Sequence, residues 1–357
     1  MNLSYPRMTI DLNIIRNNVK TVVSLCNKHD IKVAGVTKVF CGNPKIAQAY
    51  VDGGVSYLAD SRIENLIRLK DFQIPKIMLR LPMKSEVEKV VEYADISLNS
   101  EIETIISLSE KAVEKGKVHK IILMVDLGDL REGYYSDESL FQSIEKILEL
   151  KGVRLAGIGT NLTCYGGVIP NKEILNRLSS LAEDIEEKYK IRLEIVSGGN
   201  SSSIHLLTKD EGIEVINNLR LGESLILGRE AAYGKQILGT DAGGFKLQAE
   251  IIELKEKPSV PTGEIGKDAF GNTPTFVDRG VRKRILCAVG KQDIDFDNIH
   301  PIDEGIIILG GSSDHLILDG SDSNIDYKVG DIVEFKMTYV SILRAMTSEF
   351  IEKIILE

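Results

Sequence analysis

The stretch Lys32–Lys38, with the sequence KVAGVTK, joins a short apolar run to a lysine at its carboxyl end. Continuous apolar runs of this kind are typical of parallel strands that are buried on both faces of a sheet. Similar runs recur over the first two-thirds of the chain, at Ser56–Ala59, Lys76–Leu81, Ile96–Leu98, Lys120–Leu127, Leu155–Thr160, Leu193–Ser197 and Asn218–Gly222. The repetition predicts a series of about eight buried parallel strands.

Between these runs the apolar residues follow a helical period. In Asp11–His29, the residues Leu12, Ile15 and Val19 recur at spacings of three and four, and Asp11 is a suitable N-cap. About eight strand–helix units over roughly 230 residues predict an α/β fold, a (β/α)8 barrel of the TIM type. An open, doubly wound sheet is the alternative. The barrel is favoured because polar residues suited to a site follow many successive strands rather than one switch point.

The last third of the chain has a different pattern. Glycine-rich turns such as Asp319-Gly320 separate short β-type segments, and long helical periodicity is absent. We therefore predict a barrel domain over residues 1–232, whose first few residues are candidates to join the other domain, and a β-rich domain over residues 233–357. The predicted β segments are Phe245–Leu254, Lys283–Val289, Gly305–Leu309, His315–Leu318, Asp331–Met337 and Ile342–Leu343.

Composition and charge exclude several classes of partner. The 357 residues carry a net charge of −9, which argues against nucleic acid because phosphate backbones select for excess lysine and arginine. No apolar run approaches the roughly 20 residues that span a bilayer, and no signal peptide is apparent at the start. The four cysteines and five histidines lack metal-ligand spacing. The sequence predicts a cytoplasmic protein that acts on a small molecule without a metal ion.

Lys38 is the first candidate for chemistry. A lysine at the carboxyl end of a barrel strand points its amine into the mouth where barrel active sites form. The apolar neighbours Val36, Val39 and Phe40 favour a reactive amine that can bond a carbonyl carbon. The alternative is a strand-end lysine whose ammonium group reaches solvent.

Arg131 follows the fifth predicted strand, in the segment Val125–Gly133 (VDLGDLREG). An arginine in this place can bind a carboxylate through two hydrogen bonds or donate to a phenolic oxygen. The alternative is a surface ion pair with Asp129 or Glu132.

Two segments suit phosphate. Ser197–Ser203 (SGGNSSS), which includes Asn200 and Ser201, offers glycine backbone N–H groups and hydroxyl donors after the seventh strand. Arg220–Glu223 (RLGE) follows at the eighth strand, where barrels often hold a second phosphate loop. Each segment alone is as well explained by a helix cap with turn glycines. Two such loops opposite a lysine at the end of the first predicted strand are a more specific pattern for a phosphate site than either loop alone.

This pattern resembles the alanine racemase family. The segments Pro6–Leu12, Val36–Phe40 and Gly310–His315 are the most similar, the match covers nearly the whole chain in motif order, and within the family they resemble the racemases of ornithine. The resemblance implies racemisation of an amino acid with pyridoxal 5'-phosphate as cofactor. Ornithine is the favoured substrate, and lysine, alanine and serine are the alternatives.

The resemblance also implies roles for individual residues. Lys38 is similar to the lysine that holds the cofactor and moves the α-proton on one face, and Arg220 resembles the arginine that faces the pyridine nitrogen. Arg131 matches the arginine near the phenolic oxygen and the substrate carboxylate. The implied phosphate ligands are Ser201 with its neighbour Asn200, the backbone of Gly222 and Glu223, and Tyr339 of the β-rich domain.

Several positions depart from the family pattern. Met124 stands where the family has a lysine that braces the arginine, and Asn161 replaces a histidine near the cofactor. A phosphate-contacting tyrosine is absent from Val39–Gly42.

The second proton-transfer group is the largest departure. The family uses a tyrosine from the partner subunit, and the aligned segment Gly290–Asp293 (GKQD) places Lys291 at its position. Asp293 is the alternative group. A site shared in this way implies a homodimer with composite active sites.

Substrate choice is expected to involve the same domain. A diamino acid needs a carboxylate near its distal ammonium group, and Asp293 or Asp314, with Ser313 beside it, can supply one. Two other functions remain open. A decarboxylase of the same fold would pair an acidic residue with the pyridine nitrogen, against which Arg220 counts. A non-catalytic cofactor carrier would not need the β-rich domain.

Overall fold

The computed structural model describes residues 4–209, 215–268 and 270–357. It divides into two compact units, Asn13–Ala242 and a second unit that joins Met1–Leu12 to Gly243–Glu357. The division therefore falls after residue 242 rather than after residue 232. The reason is that the intervening segment bonds back to the first unit, where Ile237 N donates to Gly228 O at 2.8 Å and Asn18 Nδ2 donates to Asp241 O at 2.6 Å.

The first regular elements are strand β1 (Arg7–Asp11) and helix α1 (Leu12–Asn27). Eight parallel strands then alternate with helices. The strands are β2 Lys32–Val36, β3 Tyr57–Asp60, β4 Lys76–Met78, β5 Ile96–Asn99, β6 His119–Met124, β7 Val153–Gly159, β8 Ile195–Ser197 and β9 Asn218–Leu221. The helices are α2 Pro44–Asp52, α3 Ile63–Arg68, α4 Val87–Tyr93, α5 Ile102–Glu114, α6 Asp137–Leu148, α7 Lys172–Tyr189, α8 Ile204–Thr208 and α9 Glu223–Ile226.

The eight strands close into a barrel, because β9 pairs in parallel with β2 and brings Arg220 opposite Ala34. The predicted barrel is confirmed, and the open-sheet alternative is wrong. Small residues allow the strands to pack closely. A Cβ atom added to Gly157 would lie 1.9 Å from the carbonyl oxygen of Ile195, so only glycine permits this approach of β7 to β8. A buried apolar cluster fills the interior, formed by Ala34, Val36, Ala59, Ile77, Ile96, Leu98, Ile122, Met124 and Ile195.

The second unit is built on an antiparallel sheet, and the predicted β-rich domain is confirmed. Its further elements are β10 Phe245–Pro258, β11 Val281–Cys287, β12 Ile299–Pro301, β13 Ile307–Gly311, β14 Leu316–Asp319, β15 Ile332–Met337, α10 Tyr339–Thr347 and β16 Glu352–Leu356. Strand β1 belongs to this sheet, since it pairs with β10 and with β16. Met8, Leu247 and Phe335 lie side by side across three strands and are fully buried.

One predicted β segment is wrong. Ile342–Leu343 lies within α10, where Ile342, Ala345 and Met346 bury one helical face. The spacing of three and four places these side chains on a common stripe, which a segment of two residues does not reveal. No described helix combines the length and the apolar character needed to cross a membrane.

Candidate active site

Lys38 lies at the carboxyl end of β2, where it begins a short 3-10 turn, Lys38–Phe40, and is half-buried. The turn is fixed by its backbone. Cys41 N donates to Lys38 O at 3.1 Å, and Gly42 N donates to Thr37 O at 3.2 Å. Gly42 has a φ of +60°, and a Cβ atom there would lie 2.9 Å from Asn65 O, so glycine is required. The chain therefore holds the lysine backbone at the mouth of the barrel.

A buried hydrogen bond supports the residue before this lysine. Thr37 Oγ1 donates to Asp60 Oδ2 at 2.6 Å, and both side chains are fully buried. Burial raises the pKa of Asp60, against the effect of the hydrogen bond from Thr37. The pair joins the ends of β2 and β3.

Arg220 joins the ends of three strands. Its Nη1 donates to Ser197 Oγ at 2.6 Å at the end of β8, and its Nη2 donates to Thr160 O at 2.7 Å after β7. The residue is only 5% exposed. Burial lowers the pKa of Arg220 to about 10, which leaves the guanidinium charged at neutral pH. A fixed positive charge thus lies buried at the mouth.

The loops after β8 and β9 are joined through Ser201. Its Oγ accepts hydrogen bonds from Ser224 N at 3.2 Å and from Gly222 N at 3.4 Å. The neighbouring Ser202 is fully buried, and its Oγ has no hydrogen-bond partner among the described residues. A buried hydroxyl in this state is suited to a bound ligand that can satisfy it.

Two glycines let the backbone of the first loop approach its surroundings closely. Gly199 has a φ of +111°, and a Cβ atom there would lie 2.9 Å from Ser203 Oγ. A Cβ atom on Gly198 would lie 2.6 Å from Ile216 Cγ2. Side chains at these positions would collide with atoms of the protein that already lie there, so glycine is required at both.

The side chains of Asn200 and Glu223 are engaged within the protein. Asn200 Oδ1 accepts from Ser202 N at 2.8 Å, and its Nδ2 donates to Leu162 O at 2.8 Å. Glu223 Oε1 accepts from Arg229 Nε at 2.7 Å. Asn200 therefore orders the loop, and Glu223 offers its backbone rather than its carboxylate.

Arg131 follows β6 and forms the ion pair with Glu132 that the sequence left open as an alternative. The side-chain amide of Asn161 lies between the two arginines. One of its ends is 3.5 Å from Nη2 of Arg220, and the other is 2.9 Å from Nη2 of Arg131. With its oxygen toward Arg131, the amide accepts from that guanidinium. The structure thus brings both arginines to one side of the mouth.

The second unit gathers another set of predicted residues. Lys291 N donates to Ser312 O at 3.0 Å, which holds the turn over residues 290–293 against the segment that contains Ser313 and Asp314. Gln292 Nε2 donates to Asp314 Oδ1 at 2.7 Å, and Ser313 Oγ donates to Asp314 Oδ2 at 2.8 Å. The ammonium group of Lys291 lies 4.2 Å from the centroid of the Phe270 ring.

Asp293 and Tyr339 are the other two predicted site residues of the second unit. Asp293 is 4% exposed, and its Oδ1 accepts from Ser348 Oγ at 2.6 Å. Tyr339 is the first residue of α10 and is half-buried.

Sequence reasoning assigned Thr160 no role, did not connect Ser197 and Asn161 with the arginines, and considered Glu132 only as a surface partner. Thr160 and Ser197 accept from Arg220, Asn161 lies between the arginines, and Glu132 binds Arg131 as more than a surface partner. Their position directly after strands was a usable signal, since the carboxyl ends of all barrel strands meet at one mouth.

Comparisons with known proteins agree with this geometry. The family model "Alanine racemase, N-terminal domain" matches residues 10–230. The ornithine racemase of Acetoanaerobium sticklandii is 52% identical over 98% of this chain and 99% of its own length. The lysine racemase of Thermotoga maritima is 42% identical over 98% of each chain.

Solved structures show the same fold. The alanine racemase of Clostridium difficile 630 superposes with a TM-score of 0.75 over 100% of this chain and 97% of that chain, at 18% identity. The alanine racemase of Bartonella henselae with covalently bound pyridoxal phosphate gives a TM-score of 0.74 over 99% of this chain and 100% of that chain, at 19% identity. On its sequence and its fold, the chain belongs to the alanine racemase family.

Proposed function

We propose that this chain is a pyridoxal-phosphate-dependent amino-acid racemase that interconverts L- and D-ornithine. The observation that carries the proposal is the convergence, at one barrel mouth, of Lys38, the buried Arg220 and the two Gly/Ser loops joined by Ser201. The identity of 52% with a racemase of ornithine supports the choice of substrate.

The residues at this mouth fit pyridoxal phosphate. The buried Ser202 hydroxyl lacks a partner among the described residues, and Gly198 and Gly199 let the backbone of the same loop pack closely against its neighbours. Hydroxyls, loop N–H groups, a lysine and an arginine together form the donor set that a phosphorylated aldehyde requires. We propose Ser201, Gly222, Glu223 and Tyr339 as phosphate ligands, with Asn200 ordering the first loop and Arg220 donating to the pyridine nitrogen.

When bound, the cofactor withdraws electrons from Cα of the attached amino acid and makes the α-hydrogen acidic. Inversion at Cα needs a proton-transfer group on each face. We propose that Lys38 removes or returns the proton on one face and that Lys291 does so on the other. Asp293, the alternative for the second face, is buried and bound to Ser348, so it is disfavoured.

Substrate recognition follows from the remaining charged groups. Arg131 would bind the α-carboxylate, because its planar guanidinium matches a carboxylate in two hydrogen bonds. Asp314, which is exposed and held by Gln292 and Ser313, would receive the distal ammonium group. Lysine is the second candidate substrate, supported by the identity of 42% with a lysine racemase.

We propose further that the enzyme is a homodimer in which each active site combines the barrel of one subunit with the β-rich domain of the other. Mixing the inactive variants Lys38→Ala and Lys291→Met tests this arrangement. In a mixed dimer with shared sites, one of the two sites regains both lysines. Because about half of the dimers in an equal mixture are mixed, the activity of the mixture recovers to about a quarter of the wild-type value. Sites confined to one chain would show no recovery. The four cysteines form no disulfide among the described residues, which suits a reducing cytoplasm, where we propose that the reaction takes place.

The deciding experiment is α-hydrogen exchange in D2O followed by NMR, with L-ornithine, L-lysine and L-alanine offered separately to the cofactor-loaded protein. We expect deuterium at Cα and appearance of the D-enantiomer fastest with ornithine. Lys38→Ala should lower both rates by at least ~1000-fold, the upper range for one acid–base group. Exchange with none of the three amino acids would overturn the proposed function.

A further inference from the structure

The loop after β6 is rigid because it is tied at both ends. Asp126 Oδ1 accepts from Gly128 N at 2.9 Å and from Leu130 N at 3.1 Å, which fixes the outgoing half. On the return, Tyr134 N donates to Met124 O at 2.8 Å, and Asp126 N donates to Tyr134 O at 3.0 Å. Gly133, with a φ of +120°, allows this contact, since a Cβ atom there would lie 2.7 Å from Asp126 N. The loop therefore holds the residues at its tip in one position.

A second set of hydrogen bonds joins this loop to its neighbour. The carboxylate of Asp129 accepts from four backbone N–H groups of the loop after β7, those of Thr163, Cys164, Tyr165 and Val168, at 2.9–3.1 Å. Asn161, which reaches toward Arg131, begins that same loop. The surroundings of Arg131 are thus held in place from two sides.

Within this loop, Arg131 and Glu132 form an ion pair with two hydrogen bonds. Arg131 Nε donates to Glu132 Oε2, and Arg131 Nη2 donates to Glu132 Oε1 at 2.5 Å. The Glu132 side chain is 13% exposed, whereas the Arg131 side chain is 44% exposed. A shielded carboxylate interacts more strongly with its partner than one in open solvent, because water and salt screen it less. This pair is unlike the ordinary surface pairs of the chain.

The carboxylate also offsets a concentration of positive charge. Arg220 is buried nearby and forms no ion pair with the described residues. The hydrogen bond from Arg131 to Glu132 raises the pKa of Arg131, and the negative charge of Glu132 opposes the lowering that burial causes in the pKa of Arg220. Glu132 is therefore placed to act as counter-charge to both arginines.

We infer that Glu132 is a positioning residue that holds one edge of the Arg131 guanidinium so that the other edge receives the substrate carboxylate. The inference rests on the proposed function. Glu132 occupies Nε and one hydrogen of Nη2, so it faces only one edge of the guanidinium. The Nη1–Nη2 edge is faced by the Asn161 amide, 3.2 Å from Nη1 and 2.9 Å from Nη2, and the substrate carboxylate would take the place of that amide oxygen. Without Glu132, the long arginine side chain loses its preferred orientation.

The kinetic test is Glu132→Gln in the cofactor-loaded enzyme, with ornithine as substrate and 1,4-diaminobutane as an inhibitor that lacks the carboxylate. We expect KM for ornithine to rise by about 10- to 100-fold while kcat changes by less than about threefold. The inhibition constant of 1,4-diaminobutane should stay unchanged, because the diamine does not use Arg131. Glu132→Asp should recover part of the lost affinity.

Two results would overturn the inference. If the inhibition constant of 1,4-diaminobutane rises together with KM, Glu132 binds the ammonium group directly. If neither constant changes, the ion pair has no role in binding. Asp137→Asn is the matched control, since it breaks an ion pair with Arg177 whose two side chains are 47% and 49% exposed, and it should leave both constants unchanged.

A second measurement does not depend on activity. A double-mutant cycle of Arg131→Met and Glu132→Gln should give a non-additive shift in the urea midpoint of unfolding if the two side chains are coupled. Additive shifts would contradict the ion pair. If the wild-type enzyme exchanges no α-hydrogen, the proposed function fails while the cycle still reports on the pair, so the two failures are distinguishable.

Discussion

The barrel mouth and the turn cluster of the β-rich unit, Lys291 with Ser313 and Asp314, hold their polar groups in different ways. At the mouth, Arg220 is buried and bonded to residues at the ends of two neighbouring strands. In the turn cluster, Asp314 is exposed and its partners lie within one pair of adjoining turns. The family model matches residues 10–230 and thus the barrel. The fold itself therefore builds the proposed cofactor site, whereas local turns supply the groups proposed to choose the substrate.

The largest effect is expected at Lys291, which belongs to the less buried region. Lys291→Met should lower the rate of racemisation by about 1000-fold, because one face of Cα loses its proton-transfer group. Exchange of the α-hydrogen in D2O should survive for the single enantiomer that Lys38 serves. NMR of the product pool, starting from each enantiomer separately, measures both quantities.

Lys336→Met is the control for Lys291→Met, since Lys336 is exposed on β15 and has no proposed role. Its rates should equal those of the wild type. Equal loss of exchange from both enantiomers in Lys291→Met would show that this lysine does more than serve one face, and full activity would remove it from the mechanism.

The next effect is on stability and compares the buried barrel mouth with the exposed turn cluster. Arg220→Met should lower the free energy of unfolding by about 2–4 kcal/mol, because Ser197 Oγ and Thr160 O lose a buried charged donor. Asp314→Ala should cost less than about 0.5 kcal/mol, as is usual for an exposed polar side chain. Urea titration of both variants measures the difference. If the two variants lose similar amounts of unfolding free energy, the two regions are held equally firmly and the proposed contrast between them is wrong.

These differences also explain what the sequence was able to predict. The barrel followed from repeated apolar runs, since buried parallel strands have few other ways to pack. The partners of Arg220 did not follow, because Thr160 lies 60 residues away in sequence and only barrel closure brings the two together. In the β-rich unit, the clustering of Lys291 with Asp314 depends on hydrogen bonds between turns, and Ile342–Leu343 was too short to reveal its helix.

A third effect concerns the amino end of the barrel, opposite the mouth. His119 begins β6, is 3% exposed and shares a hydrogen bond of 2.8 Å with Ser97 Oγ. Burial lowers its pKa from 6.5 to about 4. The folded state therefore binds a proton less readily than the unfolded state. The stability that the neutral histidine contributes is complete above about pH 6.5 and is lost as the pH falls toward 4, by roughly 3 kcal/mol in total.

His119→Gln should flatten this dependence between pH 7 and pH 5 and leave kcat unchanged, as expected for a residue at the amino face of a barrel. Urea titrations across that range, wild type against variant, measure the change in slope. Parallel curves would mean that His119 binds its proton equally well in the folded and unfolded states. A fall in kcat would mean that a residue at the amino face of the barrel takes part in function.

The smallest effect separates the two candidates for the second face of Cα. Asp293→Asn keeps an oxygen that can accept from Ser348 Oγ, so the free energy of unfolding should fall by less than about 1 kcal/mol, the usual net value of one hydrogen bond. Ser348→Ala removes this bond altogether and should cost about 1 kcal/mol. The racemisation rate of both variants should stay within about threefold of the wild type, because the Asp293 carboxylate is engaged by Ser348 and is not the proposed proton-transfer group. A loss in Asp293→Asn as large as that in Lys291→Met, with Ser348→Ala still active, would transfer the proton-transfer role to Asp293 and leave Lys291 as its electrostatic partner.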